Sequence, residues 1–221
     1  MVDDVAGTPT TKKVTVANLL AGAGGEGFFD KGKLIFPTNS SNGWTETKDN
    51  LASIDYYLPY AQLDMGAAQD DDTYICSSKH IPSLPDSGKT LICGFNLWRK
   101  TSANTDAFLG LEDDGGVPFG TTDNHYGFFI DGQDLYATNG NGSSQTSTDT
   151  DVTISTSAEM NYLHAVWTQG TDIKFYCNNI LEATHTTNLP SATDWYLKMG
   201  HRNVSGTGSL YLSNAFVEYE R

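Results

Sequence analysis

Positive charge is scarce in this sequence. Lys and Arg number 13 against 27 Asp and Glu, a formal net charge of −14 at pH 7 over 221 residues. Binding to nucleic-acid phosphates or to an anionic membrane surface draws on Lys and Arg displacing counterions. No basic cluster is present, so neither partner is expected. Cysteine is sparse as well. Cys76, Cys93 and Cys177 make an odd number, form no C-x-x-C pair, and each sits in an apolar run (TYICS, LICGF, KFYCN). That pattern fits buried reduced thiols rather than a secreted disulfide framework, with a single disulfide left open. No run approaches the about 18 consecutive apolar residues of a membrane span. Met1 leads into VDDVAGTPTTKK, which has neither a basic start nor an apolar stretch. We therefore expect no membrane insertion, no signal peptide, and synthesis in the cytoplasm without export. Helical periodicity is almost missing; ANLLAG and NLASIDYY would make a turn or two.

What is present belongs to β-sheet chemistry. There are 22 Gly, 11% aromatic residues and only 18% charged ones, a balance of turn formers and sheet formers. A chain of this mass can bury roughly 25,000 Å² on folding, enough for a core without staples. Short β-branched and aromatic runs recur from Lys33 to Tyr219, among them Ile54–Tyr60, Leu91–Arg99, Tyr126–Ile130, Tyr162–Gln169 and Ser209–Tyr219. Between them lie turn clusters such as PSLPDSGK, EDDGG, TNGNGSSQTSTDTD and RNVSGTGS. About a dozen short strands at this spacing predict an all-β, two-sheet antiparallel sandwich over residues 31–221. Residues 1–30 read differently: polar to Lys13, then apolar at Val14, Val16, Leu19 and Leu20, then rich in glycine. We expect an N-terminal arm with a flexible hinge.

The stretch DIKFYCNNILEATHTTNLP, residues 172–190, predicts a hairpin. Asn178-Asn179 can take the positive φ that a tight two-residue turn needs. Ile173, Phe175 and Cys177 alternate with Lys174 and Tyr176. On the return strand Leu181 and Ala183 flank Glu182, and the core-facing side is left open.

From Asn161 to Arg221 the chain resembles concanavalin A-like (laminin-G-like) jelly-roll modules. The residues that carry this are FYCNNILEATHTTNLP followed by DWYLKMGHRNVSGTGSLYLSNAFVEYER. The turn departs from the family's usual Asp-Gly. Separately, VAGTPTTKKVTVANLLAG (Val5–Gly22) resembles a segment of tailed-bacteriophage structural proteins. Together the resemblances imply a head decoration, head-fibre or tail appendage protein, located on the virion surface, docked on capsid or tail proteins by the arm, and homo-oligomeric, with a trimer as the family's suggestion.

Retaining glycosidases need two carboxyl groups about 5–5.5 Å apart, and their Glu-x-Asp-x-x-Glu strand motif is missing here. Glu112-Asp113-Asp114 before Gly115-Gly116 reads as a polar turn. With Asp123 and Asn124 nearby in TTDNHYG it could also supply oxygen ligands to Ca²⁺; no other cofactor is expected. His80, His125, His164, His185 and His201 share no metal-ligand spacing, and no nucleophile elbow, P-loop or dinucleotide motif occurs. Sugar binding wants exposed aromatics beside Asp, Asn or Gln. Trp44, Tyr126 with Asp123-Asn124, and Trp195 stand in loop-rich settings and are the candidates for glycan contact. Trp98 and Trp167 lie inside strand runs and are assigned to the core. The expected function is a non-enzymatic virion structural protein; the alternatives are a carbohydrate-binding module for host surface glycans and a glycan-cleaving enzyme.

Overall fold

A computed structural model of the chain describes residues 31–36, 44–48, 52–57, 60–65, 71–77, 81, 88–101, 105–113, 123–154, 159–191, 194–205 and 208–220. The predicted docking residues Val14, Val16, Leu19 and Leu20 lie outside the described residues. Fifteen strands, numbered in chain order, make two facing sheets, with no helix among the described residues. Sheet A runs in the order β13 (Ile180–His185), β12 (Asp172–Cys177), β11 (Asn161–Thr168), β6 (Thr90–Thr101), β15 (Gly208–Glu220), β4 (Tyr60–Asp64), β3 (Ser53–Tyr57). Strand β1 (Lys31–Phe36) pairs with the second half of β15, beyond the stretch that pairs with β4. Sheet B runs β10 (Gln145–Thr153), β9 (Asp134–Asn141), β8 (Asn124–Asp131), β7 (Thr105–Glu112), β14 (Tyr196–Asn203), β5 (Asp72–Ser77), β2 (Trp44–Lys48). Every pairing is antiparallel. The fold is a concanavalin A-like jelly-roll sandwich.

The core lies between the sheets and follows from the two-residue period of a strand. On β6, Leu91, Cys93, Phe95 and Leu97 are buried; on β11, Leu163, Ala165 and Trp167; on β8, Tyr126, Phe128 and Ile130. Phe128 meets Phe175 across the layers edge-to-face, with centroids 5.7 Å apart. Tyr126, Trp167 and Trp195 form a second trio, each pair 5.6–5.7 Å apart. Such pairs add about 0.5–1.5 kcal/mol each beyond the area they bury. Cys76, Cys93 and Cys177 are buried, with no disulfide among them.

Asn178 and Asn179 take φ of 50° and 66° and close the predicted hairpin. The side left open is settled: Ile173, Phe175 and Cys177 face the core. The return strand slips at Phe175/Tyr176, where Ala183 and Leu181 are the opposed residues and Glu182 is the extra one. That bulge puts Ile180 and Leu181 in solvent and accounts for the broken alternation. Residues 185–188, the HTTN of the return, sew the lateral edge shut. His185 lies between Asn139 (Nδ1 to Oδ1, 2.5 Å) and Thr148 (Nε2 to Oγ1, 2.9 Å) on sheet B. Asn139 Nδ2 donates to the carbonyls of Thr187 and Asn188 at 3.0 and 2.7 Å.

At the opposite end a buried arginine joins the layers. Arg99 of β6 donates to the Gly132 carbonyl at 2.5 Å and to the Thr105 carbonyl at 2.9 Å, and its Nη2 stands 3.4 Å from His201 Nε2. Burial lowers the Arg99 pKa to about 10, and burial together with the Arg99 charge lowers that of His201 to about 3. Thus His201 is neutral and Arg99 charged at neutral pH.

Candidate functional site

The predicted glycan-contact rings do not offer a face to solvent. Trp44 is inward on β2, and Tyr126 and Trp195 are fully buried in the aromatic trio. The Tyr126 hydroxyl donates to the Leu91 carbonyl across the sandwich at 3.1 Å. Their loop-like sequence settings misled: Trp44 opens β2, Tyr126 is the third residue of β8, Trp195 bridges Ile81 just before β14, and all three belong to the buried core. Asp123 and Asn124 are half-buried at the start of β8. Asn124 Nδ2 donates to Asp113 at 2.8 Å, and its Oδ1 accepts from the Ser191 backbone at 2.9 Å, so it ties two loops. Among the described residues no three His, Cys, Asp or Glu side chains could together hold a metal. The Asp149–Asp151 pair shapes a bulge: Asp151 has φ 57°, and its N–H donates to Asp149 Oδ1 at 3.0 Å.

The outer faces of the two sheets are unlike. On sheet B, Glu112 is part of β7 and not of a turn. Its carboxylate accepts from Lys198 of β14 at 2.7 Å, and both side chains are essentially fully buried. Beside them His125 Nε2 approaches Thr138 Oγ1 at 3.0 Å, and burial lowers the His125 pKa. Gly110 and Gly127 are register partners between these groups. A Cβ on Gly110 would collide with the Tyr126 carbonyl, so the strands cross here only because both residues lack one. Further along, Asp106 pairs in register with Asp131 on one side and with Arg202 on the other. Burial and then the Asp131 charge push the Asp106 pKa up to about 6. Arg202 reaches Asp72 at 2.8 Å. Antiparallel register places the Asp106 and Asp131 Cβ atoms about 5 Å apart, on the exposed approach to the β8–β9 turn.

Sheet A's outer face carries rings. Trp98 of β6 and Tyr211 of β15 are register partners and stack with centroids 4.9 Å apart and planes within 1°. Tyr60 of β4 meets both edge-on, at 5.0 and 5.4 Å, and Tyr57 of β3 follows at 5.4 Å. Tyr57 is 47% exposed, and the other three are half-buried. The same face holds a polar network: Gln62 Nε2 donates to both Asp64 oxygens at 2.9 and 2.8 Å, and Ser209 and Ser53 donate to Asp64 as well. Ser53 also donates to Asp55 at 3.2 Å. Trp98 lies in a strand run as expected, but on its outward side: Leu91, Cys93, Phe95, Leu97 and Arg99 alternate inward, so polarity and facing are reversed at Trp98 and Arg99. The signal that finds this surface is pairing: once β4, β6 and β15 are neighbours, Tyr60, Trp98 and Tyr211 converge. Farther along, His164 of β11 is stacked between Tyr176 of β12, 4.5 Å away, and Tyr162, 4.9 Å away. Phe216 covers Gly94, whose missing side chain leaves room for its ring.

No family model and no curated protein sequence matches the chain. Solved structures do. The β-glucanase of Bacillus licheniformis superposes with a TM-score of 0.62 at 13% identity, covering 86% of this chain and 98% of that one. The carbohydrate recognition domain of Emp47p gives 0.62 at 9% identity, covering 85% and 94%. A protein of unknown function from Shewanella oneidensis MR-1 gives 0.64 at 11% identity, covering 96% of both chains. At these identities the shared property is the sandwich itself.

Proposed function

We propose that the chain is a non-enzymatic, glycan-binding β-sandwich that meets sugars with the outer face of sheet A. One observation carries the reading: the rings of Tyr57, Tyr60, Trp98 and Tyr211 stand beside the Asp64, Gln62 and Ser209 network on an open sheet face. A pyranose has apolar C–H faces for the rings and hydroxyls for planar amides and carboxylates, and recognition sites combine those two kinds of group. The fold shared with a carbohydrate recognition domain is consistent with this reading. On sheet B, Glu112 is paired with Lys198 away from solvent, so this carboxylate is not offered to a ligand. The test is a glycan array probed with the full chain. Signals should be lost in Trp98→Ala and Tyr211→Ala while circular dichroism stays that of the folded sheet. A silent array, or signals indifferent to both substitutions, overturns the proposal.

The resemblance of Val5–Gly22 to phage structural proteins favours a second reading, compatible with the first, in which the sandwich is displayed on a virion. The arm, through Val14, Val16, Leu19 and Leu20, would dock it on capsid or tail proteins. Many copies on one particle would offset weak single contacts. Deleting residues 1–27 should leave a folded body that no longer attaches to particles; normal attachment of the truncated body would end this reading.

A further inference from the structure

The aromatic side chains on sheet A do not stop at the quartet. Ordered by strand, Tyr57 (β3), Tyr60 (β4), Tyr211 (β15), Trp98 (β6), Tyr162 and His164 (β11) and Tyr176 (β12) form one strip across six adjacent strands. Register sets its two halves side by side. Tyr57 pairs with Tyr60, and Tyr211 with Trp98. Tyr162 pairs with Asn96, the next outward residue of β6 after Trp98, and His164 pairs with Tyr176. Trp98 and Tyr162 are therefore diagonal cross-strand neighbours, a separation that long aromatic side chains bridge. Ring contacts join the two halves internally, with centroids 4.5–5.4 Å apart.

From this strip we propose that the ligand is a linear, uncharged polysaccharide lying across the strands, and not a terminal sugar held at one point. The inference rests on the glycan-binding reading above and adds the length and charge of the ligand. Five strand spacings separate β3 from β12, about 24 Å. A linear pyranose chain advances about one strand spacing per ring, so the strip matches about five sugars. Polar groups recur along it where hydroxyls would fall: Gln62 and Asp64 at one end, Asn96 and Asn214 as register partners in the middle. Charge selects against acidic polymers. Asp55, Asp64 and Glu218 lie on this face, and Lys174 is paired with Asp172 at 3.3 Å. With a net charge of −14 on the whole chain, an anionic polysaccharide is repelled at close range and at a distance.

Titration of the full chain with cello- and chito-oligosaccharides of two to six units tests this. Affinity should rise at least tenfold from the disaccharide to the pentasaccharide and level off there. Tyr176→Ala and Tyr162→Ala should weaken hexasaccharide binding about tenfold and leave the disaccharide unaffected, whereas Trp98→Ala should weaken both. Polygalacturonate, an anionic control, should not bind. Disaccharide binding as tight as hexasaccharide binding, an unchanged hexasaccharide affinity in both tyrosine variants, or polygalacturonate binding overturns the strip and leaves the glycan-binding reading standing. Array glycans that bind only as branched or terminal sugars do the same. Failure of every glycan, on the array and in titration, removes both.

Discussion

The outer faces of sheets A and B are built on the same alternation and put it to opposite uses. On sheet A the outward residues are rings and hydrogen-bonding groups left partly open: Trp98, Tyr211, Tyr60, Gln62 and Asp64. On sheet B the outward residues include Lys198, Glu112, His125 and Phe108, all buried, around the Gly110/Gly127 crossing. A charge pair shut away from water is a structural commitment, because its desolvation is recovered only with both partners present. Half-exposed rings commit less stability and leave contact area to offer. On these faces, exposure separates what holds the molecule from what stays open to contact better than polarity does.

Substitutions on sheet B should break this contrast most visibly. Lys198→Met removes the charge that faces the Glu112 carboxylate and should cost about 3–5 kcal/mol in urea unfolding, with Lys198→Met/Glu112→Leu recovering most of it. If the single variant cost nothing, the pair would not be the anchor described. Gly110→Ala drives a methyl into the Tyr126 carbonyl and should cost about 2 kcal/mol. On sheet A, Trp98→Ala should cost only about 1 kcal/mol of stability, the size of an aromatic cross-strand pair. A loss as large as that of Lys198→Met would make the ring cluster a core element, not a contact surface.

Acidity sharpens the comparison from another side. His201 has a folded pKa of about 3 against an ordinary 6.5, so the unfolded chain binds its proton first. Its contribution is complete above pH 6.5 and is lost as pH falls toward 3. Asp106 acts in the opposite sense. With a folded pKa near 6 against 3.8, its contribution is present below about pH 4 and is lost as pH rises through 6. Asp106→Asn should therefore stabilise the protein at pH 7 by about 1 kcal/mol, after discounting for solvent screening, and leave it unchanged at pH 3.5. Urea midpoints across this range check both signs. The smallest expected effect is none: incubation with soluble polysaccharides should release no reducing ends. Release that stops in both Asp106→Asn and Asp131→Asn would replace the binding reading with a hydrolase.

The fold was legible where local chemistry is strong. Asn178-Asn179 announced a tight turn, and Ile173, Phe175 and Cys177 announced the alternation of a strand, while the side that is buried came only with the fold. Most of strand β10, up to Asp151, reads as part of the turn cluster TNGNGSSQTSTDTD, because QTSTDTDVT is an exposed edge strand with few apolar residues, and its Asp and Thr resemble a loop. The hairpin of β3 and β4 was read as a single strand, since ASIDYYLPYAQLD offers no glycine to mark the turn. The sugar-contact candidates failed for a different reason. Trp44 and Trp195 follow polar stretches, which says that a strand is starting but not which way its first ring points. That direction depends on the partner strand, and partners such as β6 and β15 lie far apart in the chain.

That same distance has a consequence for how the protein is made. Strand β15 pairs with β6 along almost its whole length and carries β1 and β4 on its other side. On the ribosome the β7–β10 meander can zip up as it emerges, each hairpin beside the last. Sheet A stays in separate pieces until the final described strand arrives to fill its middle, a slow closure of distant contacts. A released fragment ending at residue 205 should be cut readily by protease within β3, β4 and β6, and one extended through β15 should have all three abruptly protected.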